Sequence, residues 1–377
     1  MPKILYLATE DWFFASHFMP MARTARELGF DVVIATRLGD KADRLIAERF
    51  RPIPVNSKRG SSGLLEALRS VMRTYRIVRD ERPDVVHCIA LRPVVLGGLA
   101  AKLAGARRLV LAPTGLGYLW TTDGIFVRGL RALTRRAVGS WLNGPDTRYL
   151  FENRDDPREF GLDPNGNNVF IVGGAGVAPE DFPCGPEPPA PPVKLAVVSR
   201  MIAPKGIAEA VEAVRQARAA GAPVELDLFG EPDPANPLSI PPEILREWAS
   251  EPGIRWHGRT EDVARVWWEH HIALFLSTYR EGLPRTIVEA AAAGRPIIAC
   301  AIPGCRDLVR DGQEGILIDP GDTAAAARAI ARLADDAALR QKMGRDANLR
   351  FLDGFTESAV TGVVARLYGT FVIAPGR

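Results

Sequence analysis

The sequence predicts an α/β fold of two doubly wound, Rossmann-like domains that face each other across a cleft. Short apolar runs rich in Val, Ile and Leu alternate with helical patterns along the 377 residues, and such runs are typical of a parallel sheet covered on both faces. The alternation occurs in two sets. Between the sets lies FPCGPEPPAPPV, whose prolines cannot continue a helix or a central strand.

These patterns predict the domain boundaries. We expect an N-terminal domain at 1–181, a proline-rich linker at 182–193, a C-terminal domain at 194–355, and a C-terminal helix at 356–377 that returns to the N-terminal domain. The predicted strands are KILYLA, DVVIAT, DVVHCIA, RLVLAP and NVFIVG in the first set, and KLAVVSR, ELDLFG, IALFLS, PIIAC and GILID in the second. In such sheets ligands bind beyond the carboxyl ends of the strands.

The composition is that of a globular protein in a reducing compartment. Hydrophobic residues make up 47% and charged residues 25%. The four cysteines lack metal-type spacing and are too few for a disulfide framework. The N-terminus does not read as a signal peptide, and no window approaches the roughly 20 apolar residues of a membrane span. We therefore expect a soluble, cytoplasmic protein.

The two halves of the chain carry opposite charge. Residues 1–150 hold 24 Lys and Arg against 13 Asp and Glu, and the remainder holds 24 against 32. A basic half indicates an anionic surface as partner, either membrane or nucleic acid. Nucleic acid is disfavoured because the sequence contains no recognisable reader module.

Two segments of the basic half, 64–83 and 126–142, have the pattern of amphipathic helices. Such helices suit an anionic membrane surface. The alternative is that their apolar sides are ordinary core and their arginines ordinary solvent-facing charge. The arginines that recur at three- and four-residue steps are Arg69, Arg73, Arg76 and Arg79 in the first segment, and Arg128, Arg131, Arg135 and Arg136 in the second.

The second half contains two carboxylates around a helix start. IALFLS is a strand, TYREGLP the loop after it, and RTIVEAAAAG a helix whose first-turn amides are a natural seat for a phosphate. Glu281 precedes this helix and Glu289 lies inside it, and carboxylates accept hydrogen bonds from hydroxyls. Hydroxyls on both sides of phosphate are a feature of nucleotide sugars. The alternative is that both residues are ordinary exposed charges.

Two cations follow the first strand of the second half. Arg200 and Lys205 lie in the loop after KLAVVS. They could clamp a diphosphate, the arginine in bidentate fashion and the lysine as a point charge. Taken separately, such a pair is more often ordinary solvated charge.

Several segments resemble glycosyltransferases of family 4, which have the GT-B fold. They are SRMIAPKG, LFGEPD, WHGRTEDV, YREGLPRTIVEAAAAGRPIIACAIPGCRDLV and DGQEGILIDPGD, and Glu281 and Glu289 match the E-x7-E hallmark of that family. In the first half, ATEDWFFASHFMPMARTARELGFDVVIAT, ALRPVVLGGLAAKLAG and APTGLGYLW are similar to bacterial members that add N-acetylgalactosamine-type sugars to polyprenyl-diphosphate-linked intermediates.

The resemblance implies roles for these residues. Glu289 would hold the ribose hydroxyls and Glu281 the hydroxyls of the donor sugar, with Arg200 and Lys205 neutralising the diphosphate leaving group. The further donor-binding positions that it implies are Gly282, Leu283, Arg285, Gly258 and Arg259. Two cations and a helix terminus can neutralise a departing diphosphate without a metal, so the resemblance implies no metal and no other cofactor. It also implies retention of anomeric configuration.

The sequence departs from the family at three places. The loop APTGLGYLW lacks the sugar-contacting histidine of many relatives, and Thr114 or the backbone around 115–117 would substitute. Ala178 stands where relatives have an aspartate, and Trp12 and Phe13 stand where many have a Gly-Gly pair.

The acceptor-binding candidates are residues of the first half. Glu10, Asp11 and His17 are expected on the first loop, facing the cleft, and Arg92 at a strand end could meet the acceptor's diphosphate. Thr114 is the fifth candidate.

The expected function is a retaining transferase. It would move a hexose, an N-acetylhexosamine or a related sugar, from a UDP-sugar to a polyprenyl-diphosphate-linked saccharide at the inner face of the plasma membrane, for surface polysaccharide or glycoprotein glycans. The preference for UDP over GDP rests on the resemblance alone. The alternatives are a UDP-sugar epimerase of the same fold and a nucleotide-sugar-binding protein that has lost catalysis. A dehydrogenase would need a glycine fingerprint that GGAG at 173–176 does not supply.

Overall fold

The structure is a computed structural model that describes residues 1–55 and 63–372. It divides into two compact units. The first comprises Met1–Gly176, Glu281–Leu283 and Glu357–Arg377, and the second comprises Val177–Arg280 and Pro284–Thr356. The predicted linker therefore lies in the second unit, and three residues from the second half of the chain join the first.

The first unit contains a parallel sheet of seven described strands. In space the strands follow the order β3-β2-β1-β4-β5-β6-β7. The chain winds outward from β1 in one direction and then in the other, so the topological switch point lies between β1 and β4. The strands are β1 Lys3–Glu10, β2 Asp31–Arg37, β3 Arg51–Pro54, β4 Val85–Ile89, β5 Arg108–Ala112, β6 Thr147–Phe151 and β7 Val169–Ile171.

Helices cover both faces of this sheet. Up to residue 176 they are α1 Asp11–His17, α2 Met19–Glu27, α3 Ala42–Ala47, α4 Leu64–Glu81, α5 Gly98–Leu103, α6 Tyr118–Thr121, α7 Ile125–Arg136 and α8 Asp156–Glu159. Two π-helical segments, Pro93–Gly97 and Ala137–Trp141, precede α5 and follow α7. Within the described residues, none of the helices has the length and apolar character needed to cross a membrane.

The segment after β1 corrects one expectation. The sequence predicts a loop that carries Glu10, Asp11 and His17, but Asp11–His17 form helix α1. The helix forms because Phe14 and Ala15 are buried in the core, and burying their apolar surface stabilises this short turn of backbone.

The second unit contains a parallel sheet of six described strands in the order β10-β9-β8-β11-β12-β13. Its switch point lies between β8 and β11. The strands are β8 Val193–Val198, β9 Val224–Phe229, β10 Ile254–Gly258, β11 Ile272–Phe275, β12 Ile297–Cys300 and β13 Gly315–Ile318. The helices are α9 Ile207–Ala219, α10 Pro242–Ala249, α11 Val263–Glu269, α12 Arg285–Ala292, α13 Pro303–Leu308, α14 Thr323–Asp335 and α15 Ala337–Gly354. The predicted α/β class with two doubly wound parallel sheets is confirmed.

The C-terminal helix α16, Glu357–Val372, packs in the first unit. The hydroxyl of its Tyr368 lies 2.8 Å from the Tyr6 hydroxyl and 2.8 Å from Nδ1 of His87. All three side chains are buried, and burial lowers the pKa of His87 to about 3, so the imidazole is neutral at pH 7. This polar network fixes α16 against β1 and β4. Residues 373–377 of the predicted helix lie outside the described residues.

Candidate functional site

The carboxyl ends of β8 and β11 meet at the switch point of the second sheet. The backbone N–H of Thr278 donates to the carbonyl oxygen of Pro204 at 3.0 Å, and the Ser277 hydroxyl donates to the same oxygen at 3.1 Å. The loop after β11 is thus hydrogen-bonded directly to the loop after β8. Two loops that share their polar groups in this way form a preorganised edge for a ligand.

Gly206 lets the same two loops approach closely. Its φ is +72°, and a Cβ at this position would lie 2.0 Å from the carbonyl oxygen of Leu276. A side chain could not be accommodated without moving backbone. Gly206 follows a 3₁₀ turn, Ala203–Lys205, and precedes α9. It therefore fixes the position of the backbone next to Lys205.

Both predicted cations have partners within the second unit. The Nη1 group of Arg200 donates to Oδ2 of the buried Asp233 at 3.1 Å, and the Asp233 backbone N–H donates to the Ser239 hydroxyl at 2.9 Å. The Nζ atom of Lys205 lies 5.4 Å from the centroid of the Phe275 ring. These contacts hold the two side chains at the carboxyl edge of the sheet.

Glu289 lies inside α12, which begins at Arg285 after Pro284. It is only 7% exposed, so it is not an ordinary solvated charge. Its Oε1 accepts a hydrogen bond from Nε of Arg285, one turn earlier, at 2.7 Å. Burial raises the pKa of Glu289, and the Arg285 charge opposes that rise. Two of the predicted donor-binding residues are therefore direct partners of each other.

Gly258, a predicted donor-binding residue, is the last residue of β10 and pairs with Phe229 at the end of β9. The backbone N–H of Gly230 donates to the carbonyl oxygen of Gly258 at 2.7 Å, and a Cβ on Gly230 would lie 1.8 Å from the Ser199 carbonyl oxygen. The end of β10 is thus connected through Gly230 to the loop that carries Arg200. Arg259 follows Gly258 and is exposed.

Glu281, Gly282 and Leu283 make their contacts in the first unit. Glu281 forms an antiparallel bridge with Gly115, in the loop after β5. The Gly282 carbonyl accepts a hydrogen bond from Nδ2 of Asn153 at 3.1 Å. The bridge of Glu281 and the hydrogen bond of Gly282 are therefore both made with loops at the carboxyl edge of the first sheet.

Leu283, a predicted donor-binding residue, contacts Glu152. Its backbone N–H donates to Oε2 of Glu152 at 2.9 Å. Leu283 is buried, and a buried amide needs an acceptor from the protein.

Sequence reasoning missed Glu152 and Asn153. Burial raises the pKa of Glu152 from 4.5 to about 7, the charges of Asp156 and Glu281 act in the same direction, and the hydrogen bond from Leu283 opposes them. The available signal was two polar residues directly after the apolar strand β6.

Glu10 and Asp11 have partners close to β1. The Asp11 carboxylate is buried and accepts from the backbone N–H groups of Gly39 at 2.6 Å and Lys41 at 3.1 Å. Glu10 forms an ion pair with Arg37, whose Nε lies 3.0 Å from Oε2 of Glu10. Asp11 therefore supports the loop after β2.

The remaining acceptor candidates lie near the carboxyl edge of the first sheet. Arg92 is exposed and follows β4, while Thr114 follows β5, the neighbouring strand. Nδ1 of His17 lies 2.6 Å from the Ser16 hydroxyl at the end of α1. Among the residues that the structure describes, no group of three or more His, Cys, Asp or Glu side chains could hold a metal ion.

Two family models match the chain, one in each half. Residues 192–336 match the model described as glycosyl transferases group 1, and residues 3–138 match the model described as glycosyl transferase 4-like. EpsD of Bacillus subtilis (strain 168), assigned as a glycosyltransferase, is 26% identical over 396 residues, which cover 98% of this chain and 97% of EpsD. The capsular polysaccharide biosynthesis glycosyltransferase CapM of Staphylococcus aureus is 25% identical over 178 residues, which cover 47% of this chain and 46% of CapM.

The crystal structure of Anabaena HepE in complex with UDP-glucose is similar over its whole length. The TM-score is 0.74 at 15% identity, and the similarity covers 98% of this chain and 100% of HepE. With the two parallel sheets described above, this likeness shows the GT-B fold.

The close approach at Gly206 makes its replacement costly. Gly206→Ala and Gly221→Ala both place a side chain on positive-φ backbone, at about 1–2 kcal/mol each, but nothing lies within 4 Å of a Cβ at Gly221. The clash with Leu276 should cost Gly206→Ala about 1–3 kcal/mol more, as overpacking does. Urea unfolding measures this difference, and equal losses in the two variants would contradict the close approach.

The raised pKa of Glu152 predicts a pH dependence of stability. The folded protein keeps this proton up to about pH 7, whereas the unfolded chain loses it near 4.5. The stabilisation present below pH 4.5 is therefore lost as the pH rises through 7. Glu152→Gln cannot titrate at this position. The free energy of unfolding of the variant, relative to that of the wild type, should therefore rise by up to about 1.4 kcal/mol per pH unit in this window. Urea unfolding at pH 4.5 to 8 measures both free energies. Equal pH dependence in the wild type and in Glu152→Gln would contradict the raised pKa.

Proposed function

We propose that this chain, a glycosyltransferase of the group 1 and 4-like type, is a retaining enzyme that uses a UDP-sugar as donor. The acceptor in this proposal is a polyprenyl-diphosphate-linked saccharide, and the sugar is an N-acetylhexosamine or a related hexose. The product would enter a surface polysaccharide or a glycoprotein glycan. The similarity to CapM, which is named for capsular polysaccharide biosynthesis, supports the polysaccharide role.

The observation that carries the proposal is the cationic edge of the second sheet. Arg200 and Lys205 lie on the loop after β8, and the loop after β11, hydrogen-bonded to it, leads to the N-terminus of α12. Cations and free helix amides are the groups that hold a diphosphate. HepE, which shares the fold, binds UDP-glucose in its crystal structure, and this supports a UDP-sugar as ligand.

The reaction follows from this electrostatic arrangement. The bond between C1 of the donor sugar and the UDP oxygen breaks, and the negative charge that develops on the diphosphate is stabilised by Arg200 and Lys205. The acceptor hydroxyl attacks C1 from the face that UDP leaves and passes its proton to the departing phosphate oxygen. The configuration at C1 is retained, and no metal is needed for the leaving group.

The two glutamates hold opposite ends of the donor. Glu289 accepts the ribose hydroxyls with the carboxylate that Arg285 keeps in place. Glu281 accepts hydroxyls of the transferred sugar. On the acceptor side, the proposed contacts remain Glu10, Asp11, His17, Arg92 and Thr114. Glu10, Arg92 and Thr114 lie near the carboxyl ends of neighbouring strands in the first sheet.

Alanine variants of the two glutamates test the donor site. Glu289→Ala should weaken UDP binding about 10- to 100-fold, because each hydrogen bond to a charged group contributes about 1.5–3 kcal/mol. Glu281→Ala should lower kcat and leave UDP affinity within about twofold, since this carboxylate meets the sugar. Thermal shift and titration with UDP, UDP-GalNAc, UDP-GlcNAc, UDP-glucose, GDP-mannose and NAD measure the affinities, and a turnover assay measures kcat. A saturating ligand at 100 times its Kd stabilises by about 2.7 kcal/mol.

The matched control is Glu269→Ala. Glu269 accepts from Nε of Arg265 one helical turn away at 2.8 Å, which is the spacing of the Arg285–Glu289 pair, but the Arg265 and Glu269 side chains are both exposed. It should change neither affinity nor kcat. Stabilisation by GDP-mannose alone would contradict the assignment of a UDP-sugar as donor. Release of free sugar without an acceptor would indicate an epimerase.

The acceptor proposal includes a membrane surface. Helix α7 exposes Ile125 (85%) and Phe126 (81%) beside its arginines, and α4 exposes Leu65 and Met72 beside its own. Apolar side chains that protrude between cations fit an anionic bilayer, where the acyl region takes the former and the headgroups the latter. We therefore propose peripheral binding at the inner face of the plasma membrane.

Replacing the protruding residues tests this surface. Ile125→Ser with Phe126→Ser should weaken co-sedimentation with vesicles of 30% anionic lipid at least about tenfold, because the apolar surface of both side chains no longer enters the bilayer. Leu349→Ser, which changes an exposed leucine of the second unit, is the control and should bind as the wild type does. This surface would be removed from the proposal if the double variant bound as tightly as the wild type. It would also be removed if the wild type bound neutral and anionic vesicles equally.

A further inference from the structure

Three consecutive residues, Glu281–Leu283, are held by three different groups of the first unit. Glu281 pairs with the backbone of Gly115, the Gly282 carbonyl accepts from Asn153 at 3.1 Å, and the Leu283 amide donates to Glu152 at 2.9 Å. Glu152 and Asn153 directly follow β6, and both are buried. The backbone that presents the Glu281 side chain is therefore fixed at each residue.

The contact depends on two glycines, Gly115 and Gly282. A Cβ on Gly115 would lie 2.6 Å from the Gly282 nitrogen, and a Cβ on Gly282 would lie 2.0 Å from Oε2 of Glu152. Because neither has a side chain, the segment packs directly on the loops after β5 and β6. Glu152 is then in contact with the backbone on both sides of the Gly282–Leu283 peptide.

We infer that Glu152 is a positioning residue for transfer: by accepting the Leu283 amide it sets the backbone of Glu281 and so the place at which that carboxylate meets the donor sugar. This inference rests on the proposed function, in which Glu281 binds the transferred sugar. Glu152 does not touch the sugar in this scheme. It acts through the two peptide units that separate Leu283 from Glu281.

The physical reason is the cost of leaving a buried amide without an acceptor. If Glu152 is shortened, the Leu283 N–H has lost its partner, and the segment must move to find water or another acceptor. A shift of about 1 Å in a group that positions substrate can lower turnover 100-fold. In the proposal, UDP is held by groups of the second unit. Such a shift should therefore lower kcat and leave the affinity for the nucleotide unchanged.

Glutamine separates the hydrogen bond from the charge. The groups of like sign around Glu152 are Asp156, at the start of α8, and Glu281 itself, while Asn153 contributes a neutral amide. A glutamine keeps the acceptor oxygen for Leu283 and carries no proton that titrates. Rescue by glutamine would therefore identify the acceptor oxygen as the feature that matters.

The experiment compares Glu152→Ala and Glu152→Gln with wild type, with kcat measured for the UDP-sugar that the wild type turns over and Kd measured for UDP alone. Glu152→Ala should lose kcat at least about 30-fold with UDP affinity within twofold. Glu152→Gln should recover at least a third of the wild-type kcat. The matched control is Glu314→Ala, because Glu314 is another buried glutamate that accepts a backbone amide, that of Arg310 at 2.8 Å, in the second unit.

The outcomes distinguish this inference from the proposed function. If the wild type turns over and Glu152→Ala has the same kcat, the inference is overturned and the proposed function stands. A loss of kcat and UDP affinity together, or a loss equal to that of Glu314→Ala, assigns Glu152 to folding and also overturns the inference. Absence of both turnover and UDP binding in the wild type overturns the proposed function itself. If Glu152→Ala does not fold, a kcat in Glu152→Gln below a third of wild type overturns the inference.

Discussion

The absence of a side chain at Gly115 and at Gly282 determines where the carboxylate of Glu281, the proposed sugar-binding group, can lie. Gly115 and Gly282 bring the segment 281–283 so close to the first sheet's loops that a Cβ on either would fall within 2.6 Å of another atom. Because the backbone groups of this segment are then buried, each must find a partner in the protein. The loops after β5 and β6 supply these partners, so the position of Glu281 is a consequence of packing rather than of its own side chain.

Two buried glutamates, Glu289 and Glu152, differ in the charged and neutral groups that surround their carboxyl groups. Glu289 faces the guanidinium of Arg285, which favours the ionised form, whereas Glu152 faces a neutral backbone amide and two carboxylates that disfavour it. Burial raises the pKa of the first, and the guanidinium opposes that rise. The second can hold a peptide group whether or not it carries a proton, so its task does not require a charge.

Most of the fold could be predicted from the sequence, and part of the site could not. Parallel strands buried on both faces produce unbroken apolar runs, which is why KILYLA and KLAVVS indicate β1 and β8 correctly. Helix α1 is missed because its seven residues are too few to show a helical period. The pairing of Glu152 with Leu283 spans 131 positions, and no local pattern reports a contact at that separation.

In the second sheet, hydrogen bonds between loops hold the edge that we propose to bind the diphosphate. One carbonyl, that of Pro204, accepts hydrogen bonds from both Ser277 and Thr278, which joins the loops after β8 and β11. Asp233 meanwhile fixes the direction of the Arg200 guanidinium. Side chains already oriented lose little entropy when a diphosphate binds, and they need not reorganise as charge develops on it. A carboxylate beside Arg200 therefore serves the site by orienting the cation, although it reduces the local positive charge.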